Sequence, residues 1–199
     1  ADTAPGGNFG AFTTLRTANS VTQLGCGWTL VGHCEERMNL RAIMGESGAT
    51  ADQIEPAVNR ILNREVKAAQ AAGLKVLFCM GERSEEVDAW EQVLTAQVSE
   101  GLEDCDLENV RIAYEPVWSI GPGKTPADAP YIAKVARLVK SVVTGVDVVY
   151  GGGLKADNAK MLAGIEEIDG GLIALTRFSG EIGFYPEEYA QIVDLYLNA

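Results

Sequence analysis

Val110-Arg111-Ile112-Ala113-Tyr114-Glu115-Pro116-Val117-Trp118-Ser119-Ile120-Gly121-Pro122-Gly123-Lys124 is the stretch on which the fold turns. Its first five residues are a short, mainly apolar run with β-branched and aromatic side chains, the pattern of a strand. Glu115-Pro116 closes that run, because proline donates no N–H to a ladder and turns its predecessor away from helix. Gly121-Pro122-Gly123 is loop chemistry. Over residues 127–143, Ile132, Val135, Ala136, Val139 and Val143 then recur at helical spacing. Strand, loop and helix together make one βα unit.

The same unit repeats on both sides. Upstream, Trp28–Val31 predicts a strand, and residues 51–73 a long helix carrying Ile54, Val58, Ile61, Leu62, Val66 and Ala69 on one face. Gly73 ends that helix, and Pro56 falls near its start, where a missing N–H is tolerated. Residues 75–79 predict the next strand and 85–102 the next helix. Downstream come a strand over 146–150, a short helix over 158–162, a strand over 171–175 and a closing helix over 186–197. Strand–helix alternation with short links predicts one α/β domain over residues 1–199, with a parallel sheet and right-handed crossovers. Periodicity leaves both a doubly wound sheet and a (βα)8 barrel open. The first strand is not followed by G-x-G-x-x-G, which weighs against dinucleotide binding.

Composition narrows the function. The 199 residues carry 16 basic against 28 acidic side chains, a net charge of −12, and a pI near 4.5. That balance argues against nucleic acid or an anionic membrane surface as partner, since both need a basic patch. No apolar run approaches the roughly 20 residues of a membrane span, and no charged-then-apolar leader opens the sequence. A cytoplasmic location is the expectation. Cys26, Cys34, Cys79 and Cys105 are scattered with no C-x-x-C pair and only one histidine to join them, so a zinc site is not expected. They read as reduced thiols, with Cys26 and Cys79 as core filler beside or within apolar runs.

In either architecture chemistry belongs at the C-terminal ends of the strands. There stand His33, the only histidine; Glu115, next to a rigid proline; and the glycine loop Gly151-Gly152-Gly153. A carboxylate and an imidazole suit proton abstraction beside a carbonyl, the one taking the proton and the other polarising the oxygen. Glycine turns suit backbone N–H contact with an anion such as phosphate. Each feature has a plainer reading as a structural histidine, a strand terminator and a tight turn. Their convergence on one face favours function.

The run from Ala113 to Thr125 resembles the catalytic strand and mobile loop of the triosephosphate isomerase family. Gly10-Ala11-Phe12-Thr13 resembles that family's intersubunit loop, and Leu30-Val31-Gly32-His33-Cys34-Glu35 its histidine strand. Cys79-Met80-Gly81-Glu82 and Tyr150-Gly151-Gly152-Gly153 are similar to its Cys-Ile-Gly-Glu and Tyr-Gly-Gly-Ser. The resemblance runs over nearly the whole chain. It implies a TIM (βα)8-type barrel that interconverts dihydroxyacetone phosphate and glyceraldehyde 3-phosphate with no cofactor and no metal. Carried over by position, Glu115 is the base, His33 the neutral electrophile and Glu35 a supporting hydrogen-bonding group. Gly121, Gly151, Gly152 and Gly153 bind the phosphate. Pro116, Val117, Trp118, Ser119, Ile120, Gly121, Pro122, Gly123 and Lys124 form the lid. The implied setting is a cytoplasmic homo-oligomer, a dimer being favoured. Two alternatives fit the same residues: isomerisation of another small sugar phosphate, and a barrel homologue of little or no turnover that serves binding or assembly.

Several positions depart from the family pattern. Ala1-Asp2-Thr3-Ala4 aligns with the family's third strand, so about six βα units are expected here, an incomplete barrel without the Asn-x-Lys strand. Gly153 stands where the family has serine, and Ala174-Leu175 where it has Gly-Gly. Arg177, two residues on, is a candidate replacement for the lost phosphate-binding charge. Leu15 and Glu36 replace the two partners of an intersubunit ion pair, which Arg16 and Glu36 could re-form in reverse. The segment around Arg41 to Arg64 is longer than the family's, extending the helix beside the site.

Overall fold

The computed structural model describes residues 16–120, 124–177 and 180–199. Five parallel strands lie there: β1 Trp28–Val31, β2 Lys75–Met80, β3 Val110–Tyr114, β4 Val148–Tyr150 and β5 Gly170–Gly171. They pair in the order of the sequence, β1-β2-β3-β4-β5. That order settles what periodicity left open. A doubly wound sheet reverses at a switch point, whereas here every right-handed crossover adds its strand on the same side of the last. The helices therefore collect on one face, as in a barrel wall.

The connecting helices are α1 Ala18–Gln23, α2 Cys34–Glu46, α3 Ala51–Ala71, α4 Trp90–Gly101, α5 Ala129–Val142, α6 Ala159–Ala163 and α7 Pro186–Leu197. Alternation along the strands divides the core. Val76, Phe78 and Met80 of β2 stand beside Val110, Ile112 and Tyr114 of β3, and these beside Val148 and Tyr150 of β4. All are buried under Leu62 and Val66 of α3, Leu94 and Val98 of α4, and Ile132 and Val135 of α5. The opposite face carries Leu30, Leu77 and Arg111 in one register row, each keeping some exposure, and Cys79, Ala113 and Val149 in the next, of which Cys79 and Ala113 are buried.

Several elements differ from the sequence reading. Among the described residues the sheet has five strands; the sixth expected strand, at residues 1–4, lies outside them. β4 starts at Val148, not at residue 146, and β5 is confined to Gly170–Gly171, not 171–175. The Leu172 N–H still reaches the Tyr150 carbonyl at 2.8 Å, but β4 ends there and passes into its glycine loop. The helix expected over 51–73 is α3, and the polar stretch before it, for which the sequence predicts no helix, forms α2. α3 starts at Ala51, with Gln53 Oε1 accepting the Thr50 N–H at 3.0 Å, so Pro56 lies past the first turn and leaves the Asp52 carbonyl without its helical donor. Residues 85–102 begin as a 3-10 turn, Ser84–Ala89, before α4. Cys79 is buried as expected, but Cys26 is exposed and fills no core.

Candidate active site

Glu115 follows β3 directly, and its N–H donates to the Met80 carbonyl at 2.8 Å, extending the ladder by one residue. Its neighbours leave no room for anything but glycine. A Cβ on Gly81 would collide with the Glu115 carbonyl, and one on Gly151 would lie 2.8 Å from Glu115 Cγ. Gly81 is held in turn by the buried Gln97 side chain, which accepts its N–H at 2.9 Å and donates to its carbonyl at 3.0 Å. Glu115 is seated between two glycines, and its side chain is only 3 % exposed.

His33 arrives from the other side. Gly32 has φ +83°, and a Cβ there would sit 2.7 Å from the Cys79 carbonyl, so only glycine turns the chain here. His33 then caps α2, its Nδ1 accepting the Glu35 N–H at 3.4 Å. An accepting Nδ1 leaves the proton on Nε2. Nε2 stands 3.2 Å from Glu115 Oε1. Glu115 Oε2 accepts the N–H of Cys34, the first residue of α2, at 2.9 Å. Burial pushes the Glu115 carboxyl above its ordinary range, while His33 and the Cys34 N–H pull it back. A dry, raised carboxylate beside an N–H donor is a base next to an electrophile. Glu35 itself is solvent-exposed, its carboxylate 3.9 Å from Nδ1; it contributes chiefly its backbone N–H.

Below the pair lies Arg37, 2 % exposed, which no sequence pattern singled out. Its guanidinium donates to the carbonyls of Gly32 (2.9 Å) and Cys79 (3.0 Å) and to Asn59 Oδ1 (3.0 Å). It ties the start of α2 to the end of β2, and burial lowers its pKa to about 10. Glu36 uses its carboxylate within the chain, accepting the Gly32 N–H at 2.6 Å. Leu15, the other altered interface position, lies outside the described residues, as do residues 10–13.

The glycine loop serves two purposes. The Gly151 N–H is committed to the Tyr114 carbonyl at 2.6 Å. The absence of a Cβ there leaves room for Glu115. Gly153 has φ +93°, the left-handed turn that leaves Gly152 and Gly153 at the rim. Arg177 is ion-paired with Glu188 and stacked 3.9 Å over the Tyr185 ring, so its charge is already engaged.

Of the expected lid, Gly121, Pro122 and Gly123 lie outside the described residues. Pro116 is buried, Val117, Trp118 and Ser119 form a 3-10 turn, Ile120 is half-buried, and Lys124 is exposed. The turn is anchored at Glu82, a residue 0 % exposed. Among the described residues one group brings three metal-type donors within 4.8 Å: His33, Cys34 and Glu115. It suits a cation poorly. Nε2 carries the ring proton, and burial beside Glu115 pushes the Cys34 thiol up to about 11.

Comparison with known proteins decides the lineage. The family model for triosephosphate isomerase matches residues 2–192. The chain belongs to the triosephosphate isomerase family. The triosephosphate isomerase of Chlorobium phaeobacteroides (strain BS1) is 39 % identical over 175 residues, 82 % of this chain and 64 % of the relative. That of Synechocystis is 35 % identical over 189 residues, 93 % of this chain and 69 % of the relative. The crystal structure of the triosephosphate isomerase from Bartonella henselae superposes with a TM-score of 0.65 at 29 % identity, covering 83 % of this chain and 65 % of that one. The chain thus spans about two thirds of the length of its relatives, and the parallel α/β sheet is part of the triosephosphate isomerase barrel.

Proposed function

We propose that this chain carries the proton-transfer site of a triosephosphate isomerase, interconverting dihydroxyacetone phosphate and glyceraldehyde 3-phosphate. The observation that carries the reading is the 3.2 Å contact between Glu115 Oε1 and a His33 Nε2 whose proton is fixed by the Glu35 backbone. Triosephosphate isomerase is itself the standard case of an imidazole kept neutral by a helix N-terminus and paired with a glutamate base. The substrate opens the contact and takes its place. Glu115 removes a proton from the carbon beside the carbonyl, and Nε2–H donates to the carbonyl oxygen. His33 passes a proton from the hydroxyl oxygen of one carbon to the former carbonyl oxygen of the other, Glu115 returns its proton at the neighbouring carbon, and both side chains regain their starting forms.

The N–H groups of Gly152 and Gly153 are assigned to the phosphate, with Gly121 as a third donor. The loop from Pro116 to Lys124 is assigned to closure, which excludes water from an enediolate prone to eliminate phosphate. The reading carries with it a place in glycolysis and gluconeogenesis, a cytoplasmic location and a homo-oligomeric state, supported by the family's reaction. No helix among the described residues is long and apolar enough to cross a membrane.

The test is a coupled assay of the chain with glyceraldehyde 3-phosphate, run beside Glu115→Gln and His33→Gln. Turnover that falls by about 10³ in Glu115→Gln supports the assignment. Background rates identical in all three proteins refute it.

A further inference from the structure

Glu82 stands at the end of β2 with its carboxylate fully buried. One of its oxygens, Oε1, accepts three donors: Tyr114 OH at 2.9 Å, Trp118 Nε1 at 2.6 Å and Tyr131 OH at 2.9 Å. The other oxygen, Oε2, is buried without a partner. A carboxylate offers about two lone-pair directions per oxygen. One oxygen is therefore crowded while the other carries an unrelieved desolvation cost. Such a carboxylate has a second arrangement available, in which one donor passes from Oε1 to Oε2.

The fold decides which donor moves. Tyr114 belongs to β3 and is held by its ladder. Tyr131 sits in the first turn of α5, its N–H capped by Asp128 at 2.9 Å. Lys134 Nζ lies 4.2 Å over its ring and 4.4 Å over Trp90. Trp118 alone belongs to a three-residue 3-10 turn, three positions after Glu115. Its ring also meets the Tyr131 ring edge-on, at 5.5 Å.

We propose that Tyr131 is a positioning residue: its hydroxyl competes with the Trp118 indole for Glu82 Oε1 and so sets how readily the turn after the base moves. The role rests on the isomerase reading, in which that turn is the entry stem of the closing loop. Without the Tyr131 hydroxyl, two donors share the two lone pairs of Oε1, and Trp118 is held more tightly. The ring contact survives in Tyr131→Phe, so that variant isolates the competition from packing.

The experiment uses the full chain labelled with 5-fluorotryptophan, its Trp118 resonance assigned with Trp28→Phe and Trp90→Phe. Fluorine relaxation dispersion measures exchange at Trp118 without ligand and with dihydroxyacetone phosphate. Tyr131→Phe is expected to slow that exchange and to lower kcat by roughly threefold to tenfold, with KM nearly unchanged. Tyr131→Leu, which also removes the ring edge, is expected to speed the exchange. Unchanged or faster exchange in Tyr131→Phe overturns the competition. Slower exchange with unaltered kcat overturns the positioning role. If the unsubstituted chain shows no turnover, the isomerase reading fails, while the ligand-free exchange still decides the competition.

Discussion

Glu115 is held where a carboxylate is costly to ionise, which suits the role of base proposed for it. Burial raises its pKa above the ordinary carboxylate range, so folding disfavours the ionised form relative to the unfolded chain. The sign follows from linkage. The native state binds the proton more tightly than the unfolded chain, so this stabilisation is full below the unfolded pKa. It is lost as pH rises through the raised native one. Glu115→Gln carries no charge to desolvate. Its melting temperature relative to the parent is therefore expected to rise between pH 4 and pH 8, as differential scanning fluorimetry would record; a difference independent of pH would contradict the burial argument. Catalysis runs the other way, since only the ionised group abstracts a proton. The acid limb of kcat/KM is expected above the ordinary glutamate pKa. Gly151→Ala tests the seat of the base directly. The added methyl meets Glu115 Cγ at 2.8 Å, and kcat is expected to fall on the order of 10² with only modest loss of stability. Equal rates would show that Glu115 does not rest against the glycine during turnover.

At the scale of elements, what the sequence showed and what it hid divide by physical signal. β3 and α5 were legible to within a residue or two, because the strand is largely apolar and the helix keeps a clean apolar stripe. α2 was not. Its Met38 and Ile43 are 63 % and 60 % exposed, so no apolar face marks it. What holds it is polar: the His33 cap and the buried Arg37 guanidinium. The same reason hid Arg37, Gln97 and Glu82 from view. A charged residue in sequence looks solvated, and only the tertiary contacts reveal otherwise. Cys79-Met80-Gly81-Glu82, matched as a motif, was the one signal that could have pointed to the Glu82 anchor. Arg37→Met keeps the volume and removes the donors to Gly32, Cys79 and Asn59. It is expected to cost about 3 kcal/mol in urea denaturation and to displace His33. A loss under about 0.5 kcal/mol, in the range of ordinary surface changes, would show that α2 needs no such anchor.

At the scale of the whole molecule, the described residues give the sheet one finished face and one open one. Helices bury Val76, Phe78 and their register partners completely, whereas on the other face Leu30 is 51 % exposed and neighbours the partly exposed Leu77. In a closed barrel that second face is the packed interior, filled by side chains from every strand. Among the described residues five strands contribute to it, with β1 the outermost and Leu30 on the side facing away from the helices. Burying apolar surface yields roughly 25 cal/mol per Å², a driving force that favours cover from a second copy over exposure to water. A net charge of −12 opposes association at low salt and is screened as salt rises. Light scattering is therefore expected to give masses above the 21.2 kDa of one chain at micromolar concentration, increasing with ionic strength. Leu30→Glu places a charge on the open face and is expected to shift the distribution to single chains while leaving the helix-covered core intact by circular dichroism. A mass of one chain at every concentration and salt would mean that this face is covered from within the chain.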